Sequence, residues 1–190
     1  MRLTEADYAW LDYRLARHDA FLKSRYPGER PGRQPVHTVY VPADRIAGFR
    51  DWGAEALAAM DRQPFDFGFA DQVRDKLRRE PIEDLRVDLE DGYGVRDDDE
   101  EDKAVRNAAA VLNDGPKPPF VGIRIKSFEA ATRHRALRTL DLFLSSYSDR
   151  FAITLPKVSG PDQVSAMVVL CARLESAYGL AAGTYTVGTG

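Results

Sequence analysis

The chain has 190 residues, 44% of them hydrophobic and 30% charged, which suits one large domain with a buried core, or one domain with an appended arm. A net charge of −3 leaves no basic excess to neutralise phosphates, so nucleic acid is excluded as the main partner, although Arg133 to Arg138 is locally basic. No apolar run approaches the ~18 residues of a membrane span, Glu5 and Asp7 stand where a secretory signal would be basic and then apolar, and the single cysteine, Cys171, predicts a reducing cytoplasm.

Residues 3–26 predict an amphipathic helix with Tyr8, Leu11, Leu15, Leu22 and Tyr26 at helical spacing, capped by Thr4 with Asp7 and ended by Pro27-Gly28. With the Pro- and Gly-rich loop to Pro35 it forms an arm, residues 1–35, expected to pack on the main domain, 36–190. Val36 to Val41 predicts a first strand, and Pro42 to Arg45 the loop after it. A helix follows, clearest over 54–61; residues 64–71 carry no assignable pattern, and 72–79 predicts a short charged helix. The second strand, 84–90, places Asp88 and Glu90 on one face with Val87 and Leu89 on the other, and points the neighbours Glu90 and Asp91 to opposite faces. Asp88, Glu90 and Asp91, closed by Gly92 and Gly94, are either a site or the end of a strand that has reached solvent.

Arg96 to Glu101 reads as the solvated first turn of a helix that ends at Asn113-Asp114-Gly115-Pro116. A calcium loop fails on the spacing of its acidic positions. Phe120 to Lys126 predicts a third strand with Gly122, Arg124 and Lys126 on one face. A helix with Leu137, Leu140, Leu144 and Tyr147 as its stripe leads to a fourth strand, 151–155, and Pro156-Lys157-Val158. The helix opening at Ser159-Gly160-Pro161 has Val164, Met167, Val168, Cys171, Leu174 and Tyr178 as its stripe, which makes Cys171 core filler and not a nucleophile.

Strand alternates with helix four times, which is α/β, either an open doubly wound sheet or part of a (β/α)8 barrel. No Gly-rich phosphate fingerprint follows any strand, which counts against dinucleotide binding. In a barrel, chemistry gathers at the C-terminal ends of the strands, where Asp44, Asp88, Glu90, Asp91, Arg124, Lys126 and Lys157 all fall. His37 begins a strand and is structural, while His18 and His134 sit on helices.

Val87-Asp88-Leu89-Glu90-Asp91-Gly92, then Gly122-Ile123-Arg124-Ile125, then Leu155-Pro156-Lys157-Val158, resemble the HpcH/HpaI aldolase and citrate lyase beta-subunit family in order and spacing, with Val39 to Ala43 resembling its first strand. The match spans about residues 36 to 180; the N-terminal helix and Arg33 to His37 are similar to an uncharacterised branch of it. The resemblance implies a TIM barrel and metal-dependent (magnesium) cleavage or formation of a carbon–carbon bond beside a carbonyl, through an enolate. The implied partners are a small 2-keto acid or an acyl-CoA thioester. It implies catalytic roles for Arg124 and Lys157 and substrate contacts for Arg124 and Lys126. Asp88, Glu90 and Asp91 would stand behind the metal, holding its water and orienting Arg124. A structural salt bridge from Arg124 to Glu90 or Asp88 is the plain alternative.

The family's direct metal ligands are a Glu ending strand five and an Asp ending strand six. Here the fifth strand is expected near Thr184, and no carboxylate follows Glu175. The expectation is therefore an N-terminal half-barrel of about four units, its direct ligands beyond Gly190, inactive alone, and homo-oligomeric or associating through open barrel edges. A non-catalytic remnant or binding domain is the other reading.

Overall fold

The computed structural model describes residues 2–26, 28, 32–63 and 68–189. The chain divides into two compact units, Met1–Gln34 and Pro35–Gly190.

The first unit is one helix, α1 (Glu5–Arg25). The Asp7 carboxylate accepts the Thr4 backbone N–H at 2.7 Å, so the expected cap is made. Glu5 and Asp7 in the first turn and Lys23 and Arg25 in the last complement the helix dipole. Pro27 and most of the loop up to 31 lie outside the described residues, as do residues 64–67 of the unassigned aromatic stretch.

The second unit is α/β. Its strands are β1 (Thr38–Pro42), β2 (Asp84–Asp88), β3 (Phe120–Arg124), β4 (Ala152–Leu155) and β5 (Thr186–Thr189). They form one sheet in the order β1-β2-β3-β4-β5, every pair parallel. The first four strands thus lie in the expected order, and the fifth, anticipated near Thr184, pairs with β4. A 3-10 helix (Ala43–Asp51) runs directly into α2 (Trp52–Arg62), and α3 (Ala70–Arg79) completes the first crossover. The later crossovers are α4 (Asp98–Asn113), α5 (Arg133–Ser146) and α6 (Pro161–Ala177).

Register decides which side chains share a face. Leu85 pairs Val39 and Val121, and Val87 pairs Val41 and Ile123, which in turn pairs Ile153. This face joins Val105 and Leu112 of α4, Leu140 and Phe143 of α5 and Met167 of α6 in the core. Leu85, Val87, Ile123 and Ile153 are fully buried, and burial of each contributes roughly 2 kcal/mol. The other face carries Thr38, Tyr40, Asp84, Arg86, Asp88, Gly122, Arg124 and Thr154, none of which belongs to the core. Polar groups on that face therefore satisfy one another: Thr38 Oγ1 donates to Asp84 Oδ2 at 2.9 Å, and Arg86 Nη2 donates to the same oxygen at 2.7 Å.

Four expectations need correction. First, β2 ends at Asp88, not at 90, because the Asp88 carboxylate accepts the Glu90 and Gly92 N–H groups, both at 2.9 Å, and folds the chain into a turn. Second, β3 ends at Arg124, so Lys126 leaves the face of Arg124 and meets Glu101 on α4. Third, Glu101 and Asp102 are buried, so the acidic run is not wholly solvated. Finally, Leu137, Val168 and Tyr178 are exposed; on α5 the inward stripe is Ala136, Leu140, Phe143 and Tyr147, a helix turning one narrow side to a sheet.

Candidate functional site

The C-terminal ends of β2, β3 and β4 bring together Asp88, Glu90, Asp91, Arg124 and Lys157. Asp88 is its centre and is 2% exposed. Its Oδ1 accepts the Arg124 Nε at 2.8 Å and its Oδ2 the Arg124 Nη2 at 2.5 Å. With the two turn N–H groups, the carboxylate accepts four hydrogen bonds. Gly92 is required here, since a Cβ at that position would collide with Asp88 Oδ2. Burial opposes the charge of Asp88, but the Arg124 fork and the Glu90 N–H outweigh it and hold the carboxyl below its ordinary range.

Arg124 pairs with Asp88 in direct register across β2 and β3. The Tyr40 ring of β1 lies 4.6 Å from its guanidinium carbon, a cation–π contact that fixes the plane of the fork. Asp88 engages the Nε and Nη2 edge. A guanidinium has five donors in a planar fork, and among the described residues Nη1 and the outer hydrogen of Nη2 are left as a second bidentate edge.

Glu90 and Asp91 do not diverge as strand parity predicts. Both lie in the turn after β2, and Lys157 Nζ binds both, Glu90 through Oε1 and Asp91 through Oδ1 at 2.8 Å. Glu90 is buried, whereas Asp91 is exposed. Lys157 is left-handed, with φ of 52°, a conformation uncommon outside glycine that clusters at functional sites. Asp91 first, then Glu90, pushes its ammonium pKa well above the usual lysine value.

Lys126, expected beside Arg124, instead donates to the carbonyls of Leu89 at 2.8 Å and Gly94 at 3.2 Å and pairs with Glu101 at 3.0 Å. Asp44 stands at the start of the 3-10 helix, 3.5 Å from Arg96. His37 Nε2 accepts the Glu83 N–H at 3.3 Å at the opposite end of the sheet, and His18 and His134 are exposed on their helices. Cys171 is buried, and burial followed by the nearby Glu175 charge pushes its thiol up to about 11. A cleft of 410 Å³ lies at the N-terminal ends of β2 and β3, between Phe49, Ile82, Pro116 and Lys117. That cleft and the charged cluster lie at opposite ends of the strands, and the converging charged groups define the candidate site.

Two participants escape a reading of the sequence by motif. Tyr40 lies two residues before Pro42, which pairs with Asp88, so the parity of β1 carried that signal. Glu101 precedes Val105, Ala108 and Leu112 at helical spacing, a signal masked by the exposed acidic residues just before it. Among the described residues no group of three or more His, Cys, Asp or Glu is arranged to hold a metal ion. Among them, too, no helix is long and apolar enough to cross a membrane.

A sequentially ordered parallel sheet with helical crossovers makes the second unit an α/β domain. The chain belongs to the family DUF6986, a domain of unknown function, whose profile matches residues 15–189. No curated protein matches the chain.

Proposed function

We propose that this end of the sheet is the substrate-facing part of a carbon–carbon lyase of the aldolase and citrate lyase beta-subunit type, built on a (β/α)8-barrel plan. The single observation that carries the reading is the oriented fork of Arg124: Asp88 grips one edge, Tyr40 lies against it, and the second edge has the geometry that pairs with a carboxylate. A 2-keto acid, or the carbonyl of an acyl-CoA thioester, presents oxygen acceptors that suit it. Cleaving the bond beside that carbonyl leaves an enolate, and a preorganised cation at the developing charge lowers its energy. Lys157 is held charged by Asp91 and Glu90, so it acts as a fixed cation, not as the neutral amine that imine chemistry requires. The one-sided core, with every strand following its predecessor in the sheet, supports the barrel plan.

Magnesium, implied by the resemblance, does not fit the described carboxylates as direct ligands. Asp88 already accepts four N–H groups, and Glu90 and Asp91 both hold Lys157. These three residues orient Arg124 and Lys157.

A second reading, a non-catalytic binding domain, is favoured by the same pairing, since each carboxylate of the cluster already has a cation. The two separate by experiment. Isothermal titration should detect oxalate, a planar mimic of the pyruvate enolate, and Arg124→Met should weaken it by about 10–100-fold, the loss of a charge-assisted pair of hydrogen bonds. Exchange of pyruvate methyl protons into deuterated water, followed by NMR and abolished in Arg124→Met, supports the lyase. Binding without exchange of pyruvate or of an acetyl thioester supports the binding domain. Failure of wild type to bind oxalate, pyruvate or acetyl-CoA refutes both.

A further inference from the structure

We infer that Lys126 is a positioning residue: supported by Glu101, it fixes the turn that carries Glu90 and Asp91 and thereby sets where Lys157 stands. The inference rests on the reading of this end as an anion site, but its core is geometric. Lys126 donates to the carbonyls of Leu89 and Gly94, and its charge pairs with the Glu101 carboxylate at 3.0 Å. The two carbonyls bracket the turn, residues 90–93. Asp88 pins the inside of the turn through the Glu90 and Gly92 N–H groups, and Gly94 N–H closes it on the Glu90 carbonyl at 2.7 Å. Lys126 is the contact that ties both ends of the turn to the helix layer.

That layer is built to hold it. Lys126 is 11% exposed and Glu101 fully buried. Burying such a pair is unfavourable unless the remaining lone pairs are also satisfied. Here Thr139 Oγ1 donates to Glu101 Oε1 at 2.6 Å and the Arg135 charge stands 3.1 Å from the same oxygen, while Oε2 faces the Lys126 charge without a hydrogen bond. Asp102, next in α4, binds Arg135 at 2.6 Å and Arg138 at 2.5 Å. The chain of contacts therefore runs from α5 through α4 to Lys126, then through the turn to Glu90 and Asp91, and ends on Lys157. Lys157 itself is half exposed, so its location depends on the carboxylates that hold it and on whatever fixes them.

The test uses Lys126→Met and Lys126→Arg in the full chain, with two readouts. Hydrogen–deuterium exchange of residues 89–94 reports the turn directly, and oxalate titration reports the site. Lys126→Met should speed exchange in that segment by about tenfold or more, while β3 and β4 stay protected. It should also weaken oxalate by about tenfold, as misplacement of a charged contact does, and Lys126→Arg should restore at least half of each loss on a logarithmic scale. Should Lys126→Met fail to fold, the double variant with Glu101→Gln removes the unpaired buried charge and carries the same expectations. If wild type binds no oxalate, the anion-site reading has failed by itself, and exchange alone decides the clamp. Exchange in 89–94 within twofold of wild type overturns the inference. So does a loosened turn with unchanged oxalate affinity where wild type binds, because Lys126 would then be structural only.

Discussion

Removing the Asp88 carboxylate should be the most damaging single change at the charged end. Asp88→Ala deprives four N–H donors of their acceptor at once: two from Arg124 and two from the turn. Leaving a buried donor unsatisfied costs about 1–3 kcal/mol, and breaking a buried ion pair from one side costs about 3–5 kcal/mol. Arg124 keeps 22% side-chain exposure and can turn partly to water, so the lower end applies, about 3 kcal/mol in all. For a domain of this size that is a fall in Tm of roughly 6–12 °C. Asp88→Asn retains one acceptor oxygen but sets an amide N–H against a guanidinium or a backbone N–H, and should lose about half as much. Urea unfolding followed by circular dichroism, with the slope checked for constancy, measures both. Adding Arg124→Met to Asp88→Ala should cost less than the sum of the single changes, because the stranded cation is gone. A loss below about 1 kcal/mol in Asp88→Ala at unchanged slope would refute the claim that this carboxylate organises the turn.

Gly122 gives room for Arg86 to lie across β3, and a Cβ there would stand 2.6 Å from both the Ala152 carbonyl and Arg86 Cδ; Gly122→Ala should destabilise by about 1–3 kcal/mol, read by thermal melting. Cys171, buried with a raised thiol pKa, should resist Ellman's reagent at pH 8 in the folded protein and react fully in urea. The Asp88 carboxyl is depressed in the folded state, so the stability it adds is complete above its unfolded value near ~4 and is lost as pH falls through the folded value. The gap between wild type and Asp88→Asn should therefore stay flat from pH 5 to 8 and narrow below pH 4, measured by urea titrations across that range.

Strand parity made most of the sheet legible. Leu85, Val87, Ile123 and Ile153 alternate with charged or small residues, and register then forces Asp88 opposite Arg124. The salt bridge from Arg124 to Asp88, offered as the plain alternative, is present in the structure and is also what orients the fork. Parity failed at Glu90, Asp91 and Lys126 for one physical reason: the strands stop two residues sooner than their composition suggests, because the Asp88 side chain competes for the backbone N–H groups that would have extended β2. Beyond that point, side chains are aimed by turn geometry, and no count by twos locates them. Glu101 was hidden by its neighbours, since Asp97 to Glu100 are exposed and mask a carboxylate that continues the apolar spacing of α4.

The cluster also has a charge imbalance that the geometry lets us test. Asp88, Glu90 and Asp91 oppose Arg124 and Lys157, and the Lys126 and Glu101 pair is neutral, so the end carries one surplus negative charge by formal count. An anionic ligand approaching the free edge of Arg124 meets that surplus. Asp91 is its most dispensable source: its side chain is 67% exposed and makes no bond to Arg124, yet lies close enough to sense the Arg124 charge. In high dielectric at ~8 Å, a like charge opposes binding by about 0.5 kcal/mol, slightly more than twofold in affinity. Asp91→Asn also leaves Lys157 with Glu90 as its single carboxylate partner, which frees more of the ammonium for the ligand. Both effects have the same sign, so Asp91→Asn should tighten oxalate by about two- to fivefold at low ionic strength and by less in 0.5 M salt, where screening removes most of the first effect. Isothermal titration at the two salt concentrations reads this directly. Weaker binding in Asp91→Asn would reverse the conclusion, for it would mean that Asp91 is needed to hold Lys157 in place and that the surplus charge is the condition for a correctly placed cation.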